Sequence, residues 1–291
     1  MKKIFIHFIT IVFIFFASIA QAAVPSKKAS LVIDSHNGKI LHAENAHALR
    51  YPASLVKMMT LYVTFKKLDQ GELTLDQLLP VSKKAASMPR LNLALKAGSS
   101  ISVRKAILGL IVHSANDASV VLAEAIAGSE PKFAVMMNDQ AKKLGMNNTT
   151  YQNASGWHNK NQKSTAHDLA KLATSIKKDF PQFFPWFSIN SFSFNGRAYH
   201  SHNHVVRKYE WATGMKTGFT NPSGFNLATT ATKNGKHLVG VVLGEHTANA
   251  RDKYMMKLLD NCFHKMDNPG TIRAASLTNN SKTTKQFLKK S

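Results

Sequence analysis

Strand patterns at both ends of this 291-residue chain, with helical patterns between them, place the strongest limit on its fold. Near the start, an apolar strand leads into Asn37-Gly38, a dipeptide typical of a β-hairpin turn. Strand patterns return after residue 210, and Asn234-Gly235 joins the last two. We therefore expect one antiparallel sheet assembled from both chain ends. The predicted strands are 29–34, 40–43, 211–216, 225–232 and 238–243.

The segment between these strands is mostly helical in pattern. Proline at position 52 opens an apolar helix to about residue 68, because proline favours a first helical turn. Further helices are predicted at 103–112, 118–127, 131–144 and 249–266. The combination predicts an α+β catalytic domain over residues 23–267, in which helices flank the sheet and a helical lobe spans roughly 70–205. Clefts at such lobe junctions commonly hold small-ligand sites.

Residues 1–22 have the pattern of a secretory signal peptide. Lys2 and Lys3 precede a nearly continuous apolar stretch, and Ala20-Gln21-Ala22 offers a small-x-small cleavage site. An uncleaved anchor is the alternative, but the apolar stretch falls short of the roughly 20 residues that a membrane span needs. We expect cleavage near Ala22 and an extracytoplasmic mature protein, in the periplasm or the cell-wall space.

The formal net charge of +22 bears on the choice of partners. It favours anionic wall polymers or anionic lipid, although a general bias toward basic proteins explains it equally well. The lysines are scattered without arginine–aromatic interleaving, so no nucleic-acid partner is expected. Residues 268–291 are predicted to form a basic flexible tail, with weak or no membrane attachment. Cys262, the only cysteine, is predicted to be a core residue.

Three short motifs occur in an order typical of serine acyl-transfer sites. They are S-x-x-K at 54–57, S-x-N at 114–116 and K-T-G at 216–218. The first two are weak evidence alone, since S-x-x-K occurs four times and S-x-N five times, whereas K-T-G occurs once. The local pattern distinguishes these copies from the others. Ser54 lies at a predicted helix start, Ser114 in a predicted loop after an apolar run, and Lys216 on a predicted strand.

Ser54 and Lys57 have the chemistry of a nucleophile and its base. Their spacing places both side chains on one face of a helix. An ordinary lysine ammonium cannot accept a proton from serine, but burial and a second cation lower its pKa. Lys216 is the predicted second cation. The alternative is a helix cap at Ser54 and a solvated Lys57, yet the apolar neighbours of Lys57 favour burial.

Ser114 and Asn116 offer a proton relay and a substrate contact. The Ser114 hydroxyl can pass a proton between the base and a leaving amine. The Asn116 carboxamide can hold a substrate amide group. Asp117 is expected to cap the following helix, a role compatible with catalysis beside it.

The K-T-G motif offers contacts to a substrate. Lys216 and Thr217 carry donors suited to a carboxylate, and Gly218 is expected to let a substrate backbone lie close to its strand. The backbone N–H groups of Ser54 and Phe219 are predicted to hold the oxyanion. Loss of one such donor typically costs about 3–4 kcal/mol of transition-state stabilisation.

At these motifs the sequence resembles the low-molecular-mass penicillin-binding proteins, which are serine D-alanyl-D-alanine carboxypeptidases. The likeness runs from about residue 29 to 266 and includes the blocks 110–118, 153–156, 164–170, 214–220 and 241–244. It implies the serine β-lactamase/DD-peptidase fold. It also implies acylation by peptidoglycan stem peptides, inhibition by β-lactams, and no cofactor or metal.

The resemblance also assigns roles to individual residues. It implies that Lys57 is the base, Ser114 the proton relay, and Asn116 and Lys216 positioning groups. Arg251 lies where the family places an arginine near the terminal carboxylate of the substrate. A surface charge at a helix start is the alternative for Arg251.

The three motifs are compatible with more than one activity. The leaving group can be free D-alanine or a crosslinked stem, and the latter describes a D-alanyl-meso-diaminopimelyl DD-endopeptidase, which the short tail favours. A serine β-lactamase is less favoured, because residues 140–167 hold no acidic side chain to activate water. A non-catalytic wall-binding protein would not need three intact motifs.

Three alternating histidines raise the question of a metal. His200, His202 and His204 would share one face if they lay on a strand, and three imidazoles can bind zinc. No neighbouring cysteine or carboxylate pattern supports such a site, so none is expected.

Overall fold

The computed structural model describes residues 27–89 and 91–268, and its main sheet combines strands from both ends of that part. The strands are β1 (Ala29–Asp34), β2 (Ile40–Glu44), β3 (Leu78–Pro80), β4 (Ser100–Ser102), β5 (Ser191–Phe194), β6 (Arg197–His200), β7 (Ala212–Thr220), β8 (Gly224–Lys233) and β9 (Lys236–Glu245). Five of them form the order β2-β1-β9-β8-β7, with antiparallel neighbours throughout. The predicted α+β fold with a sheet from both chain ends is confirmed.

Helices cover both faces of this sheet. They are α1 (Lys57–Asp69), α2 (Lys83–Ala86), α3 (Val103–Leu108), α4 (Asn116–Ala127), α5 (Glu130–Lys143), α6 (Ala166–Asp179), α7 (His204–Lys208) and α8 (Ala248–Asp267). Helix α6 packs against β1 and β9, and α8 packs against β8 and β9. Helices α1, α4 and α5 pack on one another beside the sheet.

The alternation of side chains along β9 explains this two-sided packing. Val239 and Val241 belong to the large core that includes α1, α4 and α6. Leu238 and Val242 point to the opposite face, where they join Leu259 of α8 in a second apolar cluster. A strand with apolar residues on both faces needs a layer on each side.

Two predicted helices are each divided in the structure, and both divisions lie beside motif residues. The helix predicted from residue 52 begins as a 3-10 turn, Ala53–Val56, before α1. The helix predicted at 103–112 is α3 followed by a π-helical turn, Gly109–His113. Local periodicity does not distinguish these turns from α-helix, because the apolar spacing differs little over one turn.

Several predictions fall on residues outside the described part. The signal peptide at 1–22 and all but the first residue of the predicted tail at 268–291 lie there. Over the described ranges 27–89 and 91–268, no helix combines the length and apolarity needed to cross a bilayer. The domain boundaries stay predictions, whereas Cys262 is buried in α8 as expected.

Candidate active site

Ser54 lies on the 3-10 turn that leads from β2 into α1. Pro52 and the positive φ of Ala53 (50°) turn the chain so that Ser54 lines a cleft of about 390 Å³. Lys57, one turn later, is fully buried beneath it. The spacing in the sequence therefore brings hydroxyl and amine together, with Lys57 Nζ 3.2 Å from Ser54 Oγ.

Two carbonyl oxygens complete the surroundings of the Lys57 amine. Lys57 Nζ donates to Asn116 Oδ1 at 2.7 Å and makes a short hydrogen bond to the backbone oxygen of Ser155. Burial lowers the pKa of Lys57 well below its usual value, and Lys216 lowers it further, while Asp117 acts in the opposite direction. A buried amine with a lowered pKa can accept a proton at moderate pH.

Ser114 follows the π-helical turn in a left-handed conformation, with φ 61° and ψ 34°. This conformation is uncommon for residues other than glycine and concentrates at functional sites. The hydroxyl is buried, and within the described part of the chain its oxygen has no hydrogen-bond partner. Ser114 and Asn116 line the cleft with Ser54, and Asn116 Nδ2 donates to the backbone oxygen of Pro89 at 3.0 Å.

The expectation that Asp117 caps α4 is wrong. Ala115 holds the N-cap position, and Asp117 lies inside the first turn. The Asp117 carboxylate instead accepts backbone N–H groups of Leu93 and Leu95 at 2.9 to 3.2 Å, besides that of Ala118. A buried carboxylate gains more from three N–H donors than one cap contact provides, because each donor offsets part of its desolvation.

The K-T-G residues lie on β7, the edge strand beside Ser54. Thr217 and Gly218 line the cleft, and Lys216 is buried below it with Nζ donating to the backbone oxygen of Thr217 at 3.1 Å. Burial, followed by the charge of Arg251, lowers the pKa of Lys216 to about 7. Lys216 is thus the second cation near Lys57 that the sequence predicted.

Gly218 has a further reason for its small size, besides the predicted approach of substrate. A Cβ there would lie 2.9 Å from the backbone nitrogen of Ser54 and 3.1 Å from the oxygen of Pro52. The absence of a side chain therefore lets the Ser54 turn lie against β7. Gly156 serves the same turn from the other side, since a Cβ there would overlap the backbone oxygen of Ala53.

Arg251 reaches the cleft from α8 and is almost fully buried. Its Nε and Nη2 donate to Asp252 Oδ1 at 2.9 and 2.7 Å, and Nη1 donates to Asn226 O at 3.4 Å. His204 Nδ1 lies 3.9 Å from the second oxygen of Asp252. The guanidinium is therefore held in one orientation by its own neighbour, a contact that no pattern in the sequence indicated.

Aromatic and apolar side chains form the rim of the cleft. Trp157 is 49% exposed, Phe219 49% and Leu91 38%, although all three are large and apolar. The Phe219 ring packs on Phe225, with ring centroids 4.3 Å apart. These rim residues were missed in the sequence, apart from Phe219, whose backbone N–H was predicted in the oxyanion site.

The segment 153–157 was also missed as part of the site, although residues 153–156 belong to the blocks that carry the family resemblance. Asn153 Oδ1 accepts the Gly156 N–H at 2.8 Å, and Ser155 Oγ accepts the Trp157 N–H at 3.1 Å. These bonds give the segment a compact turn. The turn presents the Ser155 carbonyl to Lys57.

The three alternating histidines do not share a strand. Strand β6 ends at His200 and α7 begins at His204, so the three side chains do not lie on one face of a strand, which was the condition for a zinc site. His202 packs near the His113 ring, and burial, with Lys216 next, lowers its pKa to about 4. Among the described residues, no group of three or more His, Cys, Asp or Glu side chains is placed to hold a metal ion.

An antiparallel sheet flanked by helices, with a serine and a buried lysine at one cleft, is the arrangement that penicillin-binding serine peptidases share with serine β-lactamases. The chain belongs to the S11 peptidase family, described as D-alanyl-D-alanine carboxypeptidase, which matches residues 17–247. DacD of Salmonella typhimurium, a D-alanyl-D-alanine carboxypeptidase, is 36% identical over 238 residues, or 79% of this chain and 61% of DacD. The chain thus spans about three fifths of the length of that relative.

Solved structures give the same class. DacD from Francisella tularensis superposes with a TM-score of 0.78 at 29% identity, over 82% of this chain and 70% of its own. Penicillin-binding protein D2 from Listeria monocytogenes, in a cefotaxime-bound form, gives 0.75 at 31% identity, over 84% and 100%. A D-alanyl-D-alanine endopeptidase of Pseudomonas aeruginosa is 30% identical in sequence over 223 residues, or 74% of this chain and 70% of its own.

Proposed function

We propose that this protein is a serine-type D-alanyl-D-alanine carboxypeptidase that acts on peptidoglycan stem peptides through an acyl-enzyme on Ser54. The observation that carries the proposal is the fully buried Lys57 amine, 3.2 Å from the Ser54 hydroxyl. Membership of the S11 family and the identity to DacD support the substrate class. The activity is proposed and not inferred from identity alone, because the chain spans about three fifths of the length of DacD.

The hydrogen bonds of Lys57 orient the lone pair of its neutral amine toward the Ser54 hydroxyl. A neutral amine has two N–H groups and one lone pair. Asn116 Oδ1 and Ser155 O can only accept, so they take the two N–H groups. The lone pair is then left for the third neighbour, the Ser54 hydroxyl, which donates its proton as Oγ bonds to the substrate carbonyl carbon.

The later steps return the proton and release the product. The backbone N–H groups of Ser54 and Phe219 hold the oxyanion of the tetrahedral intermediate. As the peptide C–N bond breaks, the proton on Lys57 passes through Ser114 to the leaving amine of D-alanine. Water then attacks the ester carbonyl and gives a proton to Lys57. As the ester bond breaks, Lys57 returns that proton to Ser54 Oγ, which restores both the hydroxyl and the neutral amine.

Cations at one end of the cleft suit a substrate that ends in a carboxylate. Lys216, Thr217 and Arg251 are the groups proposed to bind it, and Gly218 keeps the strand close to the Ser54 turn. β-Lactams present a comparable carboxylate beside a reactive carbonyl. They are proposed to acylate Ser54 and to leave it slowly, in keeping with the absence of acidic side chains from residues 140–167.

A second candidate is a D-alanyl-meso-diaminopimelyl DD-endopeptidase. The match to the Pseudomonas aeruginosa endopeptidase supports it as a weaker alternative, at 30% identity against 36% for DacD. Both reactions share the same acyl-enzyme. They differ only in the leaving amine, which is free D-alanine in one case and a crosslinked stem in the other.

Incubation with purified uncrosslinked and crosslinked muropeptides, followed by mass spectrometry, separates these activities. Free D-alanine from pentapeptides is expected for the carboxypeptidase, and conversion of dimers to monomers for the endopeptidase. Ser54→Ala should abolish the activity and the penicillin adduct. Ser175→Ala, which alters another S-x-x-K copy, should keep both. No product and no adduct with the wild-type protein would refute the proposal.

The predicted signal peptide at residues 1–22 and the positive net charge support a proposal about where the protein acts. Cleavage of the leader near Ala22 would deliver the protein to the periplasm or the cell-wall space. The net charge of +22 suits anionic wall polymers as further partners, and the polar tail suits weak or no membrane attachment. N-terminal sequencing of protein recovered from the extracytoplasmic fraction tests the leader.

A further inference from the structure

Glu130, the first residue of α5, is a buried carboxylate that the proposed mechanism does not use. It lies only 8% exposed, and its two oxygens have separate partners. Oε1 accepts the backbone N–H of Ala154 at 3.1 Å, and Oε2 pairs with Lys84 of α2 at 2.8 Å. Two elements and one loop therefore meet at this carboxylate.

Ala154 precedes the residue whose carbonyl receives the Lys57 amine. The backbone oxygen of Ala154 also accepts the Thr60 hydroxyl at 2.7 Å. The Ala154 peptide groups are thus held at the N–H by α5 and at the carbonyl by α1. These two bonds hold the Ala154–Ser155 peptide and thereby the Cα of Ser155. The Ser155 carbonyl shares the next peptide plane with the Gly156 N–H, which donates to Asn153 Oδ1 at 2.8 Å.

We propose that Glu130 is a positioning residue for the catalytic base. The carboxylate anchors the Ala154 N–H and so holds the loop in the place from which the Ser155 carbonyl reaches Lys57 Nζ. That carbonyl takes one amine N–H, so that the lone pair of the amine faces the Ser54 hydroxyl. The inference rests on the proposed function, because it assigns Glu130 a part in the acylation of Ser54.

Two substitutions separate the hydrogen bond from the charge. Glu130→Gln keeps a carbonyl oxygen at the same reach and loses the ion pair with Lys84. Glu130→Asp keeps the charge and falls one methylene short of the Ala154 N–H. Glu130→Ala removes both. Asp139→Ala is the matched control, since it removes an exposed carboxylate from the same helix.

The rate of acylation by benzylpenicillin is measured against pH for the full chain and each variant, with thermal unfolding recorded in parallel. Glu130→Ala and Glu130→Asp are expected to lower the maximal second-order rate constant roughly 10- to 100-fold, because a displaced base loses alignment. Glu130→Gln is expected to restore most of the rate, and Asp139→Ala to equal the wild type.

The pH profile gives a readout that a purely structural role would not change. A carbonyl that accepts from the ammonium favours the charged form, so its displacement lowers the pKa of Lys57. The ascending limb of the profile is therefore expected at lower pH in Glu130→Ala and Glu130→Asp. The charged groups that face Lys57, Lys216 of β7 and Asp117 of α4, are unchanged in these variants.

Several outcomes would overturn the inference. Wild-type rates and an unshifted limb in Glu130→Asp would do so, as would a Glu130→Gln protein as slow as Glu130→Asp. If Glu130→Ala does not fold, the comparison of the Gln and Asp variants decides alone. Failure of the wild-type protein to form a penicillin adduct would instead refute the proposed function.

Discussion

Substitution of Gly156 by alanine tests the close approach of Gly156 to the Ser54 turn. Gly156 has φ +80°, and a Cβ at this residue would overlap the backbone oxygen of Ala53 and lie 2.9 Å from the nitrogen of Ser54. Both neighbours are backbone atoms, which cannot rotate aside as a side chain can. The segment carrying Gly156 must therefore move away from the Ser54 turn.

The magnitude follows from comparison with Gly128. Gly128 has φ +75° but no atom within 4 Å of the position that a Cβ would take, so Gly128→Ala bears the conformational cost alone. That cost is about 1–2 kcal/mol for a residue in the left-handed region. Gly156→Ala adds an overpacking cost of about 1–3 kcal/mol or more. We expect Gly156→Ala to lose about 2–5 kcal/mol of unfolding free energy and Gly128→Ala about 1–2 kcal/mol.

Urea unfolding followed by far-UV circular dichroism measures both values, and penicillin acylation of Ser54 measures the functional effect. Gly156→Ala should also acylate more slowly while still folded, because the Ala53–Ser54 peptide shifts. Gly128→Ala should acylate at the wild-type rate. Equal losses of stability in the two variants, or a wild-type acylation rate in Gly156→Ala, would refute the close approach as the cause.

Three further predictions concern charge at the site. Because the pKa of Lys216 lies at about 7, kcat/KM for substrates with a free carboxylate should fall as pH rises through 7, and Arg251→Gln should move that fall to higher pH. Asp252→Ala should raise KM for such substrates more than it changes kcat, because Arg251 loses the acceptor of both its Nε and Nη2 bonds; Asp260→Ala, on the same helix, should not. Asp117→Asn should lower the unfolding free energy by about 1–3 kcal/mol in urea titrations, since an amino group replaces Oδ2 and the buried Leu95 N–H loses its acceptor.

The sequence was most informative where the chemistry depends on neighbours along the chain. Ser54 and Lys57 lie three residues apart, and any helical turn brings such residues together. The apolar neighbours of Lys57 indicated its burial, which the structure shows. The five strands of the main sheet were also predictable, because alternation of apolar residues and Asn-Gly turns are local signals, whereas the four short strands β3 to β6 were not predicted.

Residues that act through long-range contacts were not predictable in this way. Ser155 meets Lys57 across 98 positions of sequence, and it does so through a backbone oxygen that no residue type reveals. Glu130 reads in sequence as an acidic residue at a helix start. Its contact with Ala154 depends on how α5 packs beside that loop.

The error at Asp117 has the same origin. Asp117 was expected to cap α4 from its position alone, but the loop that holds Leu93 and Leu95 supplies it with stronger partners. Gly218 was expected to let a substrate lie close to its strand, which stays a prediction; its close approach to the backbone of the Ser54 turn was not anticipated.

The sequence by itself determined the sheet from both chain ends, the order of the three motifs and the identity of the serine and lysine. Those features follow from local periodicity and local spacing, which the chain carries without reference to its fold. Tertiary structure decided the hydrogen-bond partners of the Lys57 amine, the lowered pKa of Lys216 and the orientation of Arg251. Each of these depends on desolvation and on hydrogen bonds to partners distant in sequence or set by packing, and such contacts exist only once the layers have packed.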